Sequence, residues 1–444
     1  MAGRVQLEIS GPQDAFFTDD PEYTYFVKNF QKHTNFAPFF KDLDVEGEME
    51  FGNTIRCTIP QDQGDLLKTV SFKFELSSIQ QNLVSWATGL GYVESIGHAI
   101  IEYAEILIGG KTIQRIPSDF LAIYFDNYVS HTKQENLGKL IGKPPGELSG
   151  TRCRHPSIAG YLGNATSNQK FFVDIPFYFY NNPELAIPVF AIDKQEIEIV
   201  IKLRERSDCI IGYKTSDPDY VFYTGDLVTT KGLIKDMKIT TEMVSLVQDE
   251  KDKIKSKKIN YAITQIQEVK NRIPQDANNN NLVHTTHRLD FKHPVKELFF
   301  IIQRMKKTVN SWMVTNFDYD SEHQVYAATN LYTNQEHLQN LSLTLDDTDV
   351  ISGASGEIIN LRAVQSGVHH TRTQLCRRYY SYSFALEPER WYPTGQVNFS
   401  LIKDQILKLT ILPDQDLERE LRVLAQSYNI LQVENGIAKT IYNT

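Results

Sequence analysis

The 444-residue chain is predicted to be all-β: two tandem antiparallel jelly-roll sandwiches of eight strands each, with long loops and short inserted helices. Three observations carry the prediction. First, the sequence presents one succession of elements twice. FFVDIPFYFY (Phe171–Tyr180), a proline-bearing loop and DKQEIEIVI (Asp193–Ile201) return as YYSYSFALEP (Tyr379–Pro388), RWYPTGQVNF and KDQILKLTI (Lys403–Ile411). Gln195 falls on Gln405 at an offset of 210, and Ile197, Ile199 and Ile201 fall on Leu407, Leu409 and Ile411. Second, aromatic residues reach 11%, with 24 Phe and 22 Tyr, many in alternating runs with Ile, Val and Thr that suit half-buried strands. Third, the chain is too long for one ordinary core and suits two units of about 200 residues. That length favours jelly rolls over immunoglobulin-like sandwiches of about 100 residues.

Taken in order, residues 1–25 are polar and punctuated by Gly, Pro and Asp, and are expected to form an arm. The first jelly roll is expected over 26–212, a linker over 213–224 and the second jelly roll over 225–444. FGNTIRCTIP alternates Ile55, Cys57 and Ile59 against Thr54, Arg56 and Thr58, the period of a strand. LLKTVSFKFEL sets Val70, Phe72 and Phe74 on one face. HAIIEYAEILIGGKTIQRI reads as a hairpin turned by Gly109-Gly110, since paired glycines supply positive φ. Ser118 is the expected N-cap of a helix spaced by Leu121, Tyr124, Phe125 and Tyr128. Residues 142–170 and 274–283 read as long exposed loops. DMKITTEMVSLV is expected to open the second unit, and DEKDKIKSKK to be a solvated turn or helix face. KINYAITQIQEVK reads as a strand, and RLDFKHPVKELFFIIQR as two strand segments pivoting at His293-Pro294. HLQNLSLTLDDTDVIS repeats the earlier hairpin with Asp346-Asp347 in place of the glycines. A second helix is expected over 357–376, and a turn or short helix followed by a final strand closes the chain.

Composition excludes several functions. Hydrophobic residues make up 41% and charged residues 23%, a globular balance. A net charge of −9 argues against direct nucleic-acid binding, which needs clustered cations to displace counterions. No apolar stretch reaches the roughly 20 residues of a membrane span, and the opening MAGRVQLEISGPQDAFF lacks a secretory h-region. Cys57, Cys153, Cys209 and Cys376 form no CxxC pair and are expected to be reduced thiols rather than a disulfide framework or zinc knuckle.

Motifs for chemistry are absent: no GxGxxG after a strand, no GxxxxGK[ST], no GxSxG, no HExxH. His284 and His287, with His293 nearby, are the nearest metal candidate. On a strand the first two point to opposite faces and share no ion. His369-His370 have no ligand spacing, and Asp346-Asp347 belong to a turn. The expectation is therefore no enzyme, no catalytic residue, no metal and no cofactor. Three Asn-x-Ser/Thr sequons occur, at Asn164, Asn340 and Asn398. Asn164, in a polar loop, is the best candidate for glycosylation.

Six stretches together resemble the major capsid proteins of nucleocytoplasmic large DNA viruses, the double jelly-roll family. They are GPQDAFFTDDPEYTYFVKNFQKHTNFA, HAIIEYAEILIGGKTIQRI, PFYFYNNPELAIPVFAIDKQEIEIVIKLRE, LDFKHPVKELFFIIQ, YPTGQVNFSLIKD and LAQSYNILQVENGIAKTIY, in family order from residue 11 to residue 442. Thr394 stands where the family usually has Ser, and Leu401-Ile402-Lys403 where it usually has Arg-Ile-Asp.

The resemblance implies a structural protein of the virion shell, assembled in the host cytoplasm, whose subunits form homotrimers. Such pseudo-hexameric capsomers tile an icosahedral capsid. Its implied partners are neighbouring capsomers, minor capsid and penton proteins, and an inner viral membrane reached through the N-terminal side. The alternative reading is a minor capsid paralogue, or a carbohydrate-binding or carbohydrate-processing jelly roll built around Trp391 and Tyr392 beside Glu387 and Glu389.

Overall fold

The computed structural model describes residues 4–5, 8–9, 11–27, 32–79, 89–93, 95–142, 168–214, 217–223, 233–275, 282–304, 338–372, 379–413 and 418–442. Contacts divide the chain into residues 1–36 and residues 37–444. The first unit carries helix α1 (Pro12–Thr18), whose entry is fixed by Gly11 N donating to Asp14 Oδ2 at 2.8 Å. Phe16 and Phe17 meet edge to face at 5.7 Å and stay exposed.

The first half then supplies β1 (Phe36–Asp44), β2 (Thr54–Thr58), β3 (Leu66–Leu76), β4 (Gly89–Tyr92), α2 (Ile96–Ala99), β5 (Ile101–Ile108) and β6 (Lys111–Pro117). It continues with α3 (Ser118–Asn127), α4 (His131–Ile141), β7 (Gln169–Asp174), β8 (Ile187–Pro188), β9 (Ile197–Leu203), β10 (Ile210–Lys214), β11 (Asp217–Tyr223) and β12 (Ile234–Leu246). The second half supplies α5 (Gln248–Lys255), β13 (Ile259–Ile273), β14 (Val283–Arg288), β15 (Pro294–Arg304), β16 (Leu338–Leu345) and β17 (Thr348–Ile351). It ends with α6 (Gln365–His369), β18 (Tyr379–Ser383), β19 (Val397–Asn398), β20 (Gln405–Ile411), β21 (Arg419–Glu434) and β22 (Ile437–Thr440).

Local sequence explains most of these elements. Val70, Phe72 and Phe74 of β3 are fully buried, as their period of two requires. Gly109 and Gly110 turn β5 into β6 at φ 58° and 75°. A Cβ on Gly109 would also come within 2.5 Å of Gln195 Nε2. In the equivalent hairpin of the second half, Asp346 and Asp347 adopt φ 44° and 65°. Aspartate is one of the few non-glycine residues that adopt this left-handed geometry readily. Asp346 Oδ1 accepts from Lys403 N at 3.0 Å and Asp404 N at 2.9 Å.

The duplication legible in the sequence is a duplication of topology. One four-strand path runs β1-β12-β3-β7, with β8 on β3; its counterpart runs β13-β21-β15-β18, with β19 on β15. The opposing sheets run β2-β9-β5-β6 and β14-β20-β16-β17. Each half is thus an eight-stranded antiparallel jelly roll, and β9 and β20, the strands matched by sequence offset, hold the same place.

This equivalence corrects the expected boundaries. DMKITTEMVSLV does not open the second roll: it is β12, paired with β3 from Ile234↔Leu76 to Val244↔Leu66. It is the last strand of the first roll, as β21 is of the second. The expected linker over 213–224 instead contributes to a hairpin, β10 with β11, paired also with β4. The connection between rolls is carried by α5, which follows β12 directly. Ser118 is not the N-cap of α3 but its first residue, after Pro117 at φ −74° and ψ 156°; its hydroxyl donates to His98 O instead. The expected helix over 357–376 is shorter, a π-helical turn (Asn360–Val364) running into α6. The closing segment expected as a turn or short helix followed by a final strand is two strands: β21 pairs β13 over fifteen consecutive positions, from Ile259↔Val433 to Ile273↔Arg419, and β22 follows as the final strand.

Two apolar cores result, and one sheet belongs to both. From β15, Phe299 and Ile301 enter the first core, while Leu298, Phe300 and Ile302 enter the second. β21 likewise gives Leu424, Leu431 and Val433 to the first, and Leu421, Val423 and Ala425 to the second. Strands β15 and β21 therefore form an inner layer, buried on both faces. This explains why ELFFII runs unbroken where an edge-facing strand would alternate. We predict that Phe299→Ala and Phe300→Ala each cost about 3–5 kcal/mol in chemical denaturation, although the two side chains point opposite ways.

Candidate assembly core between the two sandwiches

In a protein with no recognisable catalytic motif, the arrangement that can act is the junction setting one sandwich against the other. Helix α3 and the turn after it supply its first side. Phe120 meets Phe299 edge to face at 6.2 Å. Asp119 Oδ2 lies 2.7 Å from Arg422 Nε, and Asn127 Oδ1 accepts from the Tyr379 hydroxyl at 2.6 Å in a buried site. Gln265 Nε2 donates to Ile113 O at 2.7 Å. The β21–β22 turn is fastened separately: Lys194 N donates to Gly436 O, and Ala438 N to Gln195 Oε1 at 2.7 Å. Each such bond contributes only about 1 kcal/mol net, but stranding a buried partner costs about 1–3 kcal/mol. The set therefore specifies a single docking geometry more than it adds stability.

At the centre lies a buried charge cluster. β15 carries a bulge between Val295 and Glu297, and because both faces of the strand are covered, Lys296 and Glu297 are both buried, at 2% and 1% exposure. His370 Nε2 lies 2.5 Å from Glu297 Oε1, and its Nδ1 lies 3.3 Å from Glu389 Oε1. Glu389 is also held by Thr371 N and the Thr371 hydroxyl. Tyr128, from the first sandwich, donates to Glu297 Oε2 at 3.3 Å and to Gln426 Oε1 at 3.0 Å. Lys296 Nζ donates to Pro388 O at 2.6 Å.

Burial alone would push His370 down, but the charge of Glu297 and hydrogen bonds to Glu297 and Glu389 more than offset it and raise the imidazole to about 9. Burial lowers the Lys296 ammonium to about 8, against the pull of Glu297 and Glu389. Burial works against ionised Glu389, yet its bonds from His370 and Thr371 hold its carboxyl below the usual range. Two cations thus face two anions, the arrangement a dry interior requires.

The residues singled out in the sequence are dispersed. His284 and His287 lie on opposite faces of β14: His284 is exposed beside the Thr410 hydroxyl and His287 half-buried beside that of Thr285. His293 sits at the pivot with φ 64°, its N–H donating to the Ser400 hydroxyl. Among the described residues no group of three or more His, Cys, Asp or Glu gathers as for a metal ion. No described helix is long and apolar enough to cross a membrane. Cys57 and Cys209 are buried free thiols; Cys153 and Cys376 lie outside the described residues, as do Asn164 and most of the two expected long loops. Asn340 is half-buried in β16, and Asn398 is exposed with its side-chain oxygen accepting from Ser400 N. Glu387 and Glu389 do not form the carboxylate pair of a glycosidase: Glu387 pairs with Arg390, while Glu389 turns to His370.

Sequence reading set His370 aside for its lack of ligand spacing and overlooked Lys296 and Glu297. The available signal was two adjacent charges at the head of an otherwise apolar strand. Such a pair is buried on one face or the other unless the strand lies at an edge.

Comparison with known proteins agrees with this architecture. Residues 24–232 match a family model described as the major capsid protein N-terminus, and residues 250–439 match one described as the large eukaryotic DNA virus major capsid protein. The major capsid protein of Pyramimonas orientalis virus is 24% identical over 99% of both chains. That of Paramecium bursaria Chlorella virus 1 is 23% identical over the full length of both. Among solved structures, the VP54 protein of the latter virus superposes with a TM-score of 0.74 at 17% identity, covering 95% of this chain and 100% of its own. The Faustovirus major capsid protein gives 0.68 at 12% identity, covering 98% and 96%.

The cluster makes stability pH-dependent with a definite sign. Folding raises the His370 pKa from about 6.5 to about 9, so its stabilisation is complete below pH 6.5 and is lost as pH rises through 9. Lys296 acts oppositely, with relief of its buried charge coming only above about 8. Between pH 6.5 and 8 the imidazole acts alone. Over its full range it contributes at most about 3 kcal/mol. Urea denaturation should show stability falling across that window in the native protein and level in His370→Gln, which starts lower.

Proposed function

From the premise that this chain belongs to the major capsid protein family of large eukaryotic DNA viruses, we propose that it is the shell-forming subunit of such a virion and assembles as a homotrimer. The supporting observation is the repeated strand order, two eight-stranded rolls fused through one shared sheet. Three such subunits around a closed three-fold axis present six similar pillars, which tile a nearly hexagonal lattice without six separate chains. The role is structural. Binding energy comes from large faces between subunits, and obligate interfaces of this kind bury upward of about 2,000 Å². They also cover sheet edges that would otherwise pair indiscriminately.

Neighbouring trimers, minor capsid proteins and penton proteins are the partners this reading requires, and the virion shell is its location. Contact with an inner membrane through the N-terminal side is a further part of the proposal. It is supported by the exposed aromatic residues Phe16, Phe17, Tyr23, Tyr25 and Phe26 of the first unit.

Light scattering coupled to size exclusion should give a particle of three times the 50.9 kDa chain mass that survives dilution to low micromolar concentration. A persistent monomer under those conditions overturns the trimer.

A further inference from the structure

Beside the charge cluster, between the two sandwiches, lies a cavity of about 200 Å³. Its walls mix aromatic with polar side chains. Tyr124 and Tyr178 line it from the first sandwich, and Trp391 lines it from the second. Trp391 is 38% exposed and stands perpendicular to Tyr392 at 5.5 Å. Polar groups with unused capacity share the lining. Lys296 commits one of its three donors to Pro388 O. Gln426 uses its Oε1 for Tyr128, and Gln114 its Oε1 for Tyr178 N; each keeps an amide NH₂ on a residue that borders the cavity.

We propose that this cavity is a binding site for a single neutral sugar ring. A pyranose offers an apolar C–H face to an aromatic wall and a rim of hydroxyls that both donate and accept. The lining matches both: rings on the walls, and amide and ammonium groups between them. Charge balance favours a neutral ligand over an anion, because Lys296 and His370 are already matched by Glu297 and Glu389. The volume lies below the roughly 300 Å³ at which drug-sized pockets begin, which admits one ring and not an oligosaccharide chain. Glu389 and Arg390 also border the cavity, but Glu389 is held by His370 and Thr371 and Arg390 by Glu387, so the lining offers no free carboxylate pair to cleave a glycosidic bond, and the site binds without processing.

The test is calorimetric titration of the assembled full-length protein with glucose, galactose, mannose, fucose and N-acetylglucosamine, with glycerol and acetate as controls. At least one sugar should bind saturably and more tightly than glycerol. Gln114→Met, which removes the amide and keeps the side-chain length, should weaken it roughly fivefold, and Trp391→Ala roughly tenfold. Trp391 is partly exposed, so its removal leaves both cores intact. The proposal is overturned if no sugar outcompetes glycerol, if affinity is unchanged in both variants, or if acetate binds more tightly than every sugar.

Discussion

Burial of one sheet on both faces is the constraint on which the rest of the structure depends. In an isolated jelly roll, each sheet has an inner and an outer surface, and its strands alternate accordingly. Here the inner strands β15 and β21 of the β13-β21-β15-β18 sheet have no outer surface. Their far face completes the core of the first roll, through Phe299, Ile301, Leu424 and Leu431. Neither roll can then shift against the other without exposing large apolar side chains, at about 25 cal/mol for every Å² uncovered. A subunit intended to keep one shape in a lattice needs that rigidity more than it needs extra stability.

The buried ion cluster makes sense in the same light. Moving Lys296, Glu297 and His370 out of water is costly, and apolar residues of similar size would often hold a protein together as well. What such a cluster adds is selectivity. Tyr128 from one roll must reach Glu297 and Gln426 from the other, and any other docking of the sandwiches would leave those groups unsatisfied. Apolar contacts hold the rolls together, while polar contacts decide their angle and register.

Much of the fold was legible in the sequence because its signals were local. Alternation gave the strands, paired glycines or aspartates gave the hairpins, and the offset between Gln195 and Gln405 gave the duplication. Less legible was everything decided by distant partners. β12 looks like a beginning because turn-rich sequence precedes it, yet its partner β3 lies far earlier in the chain. The start of β21 was misread as a turn or short helix because its sixteen residues are buried on both faces and mix polar with apolar positions, which blurs the alternation that marks a strand. The charge cluster escaped for the same reason: its members come from positions 296, 297, 370 and 389, and no spacing rule joins them. The histidines at 284 and 287 were expected on opposite faces of a strand, and β14 places them there.

In the second roll, the first and last long strands are immediate neighbours, with Ile259 opposite Val433 at the end where β13 begins and β21 finishes. Tension applied through those two ends would part the ladder one rung at a time, the weakest way to load an antiparallel pair. Load delivered through the flanks would meet every rung together. A shell made of such bricks resists internal pressure best when subunits push on each other's sides and no strain is transmitted along the polypeptide itself.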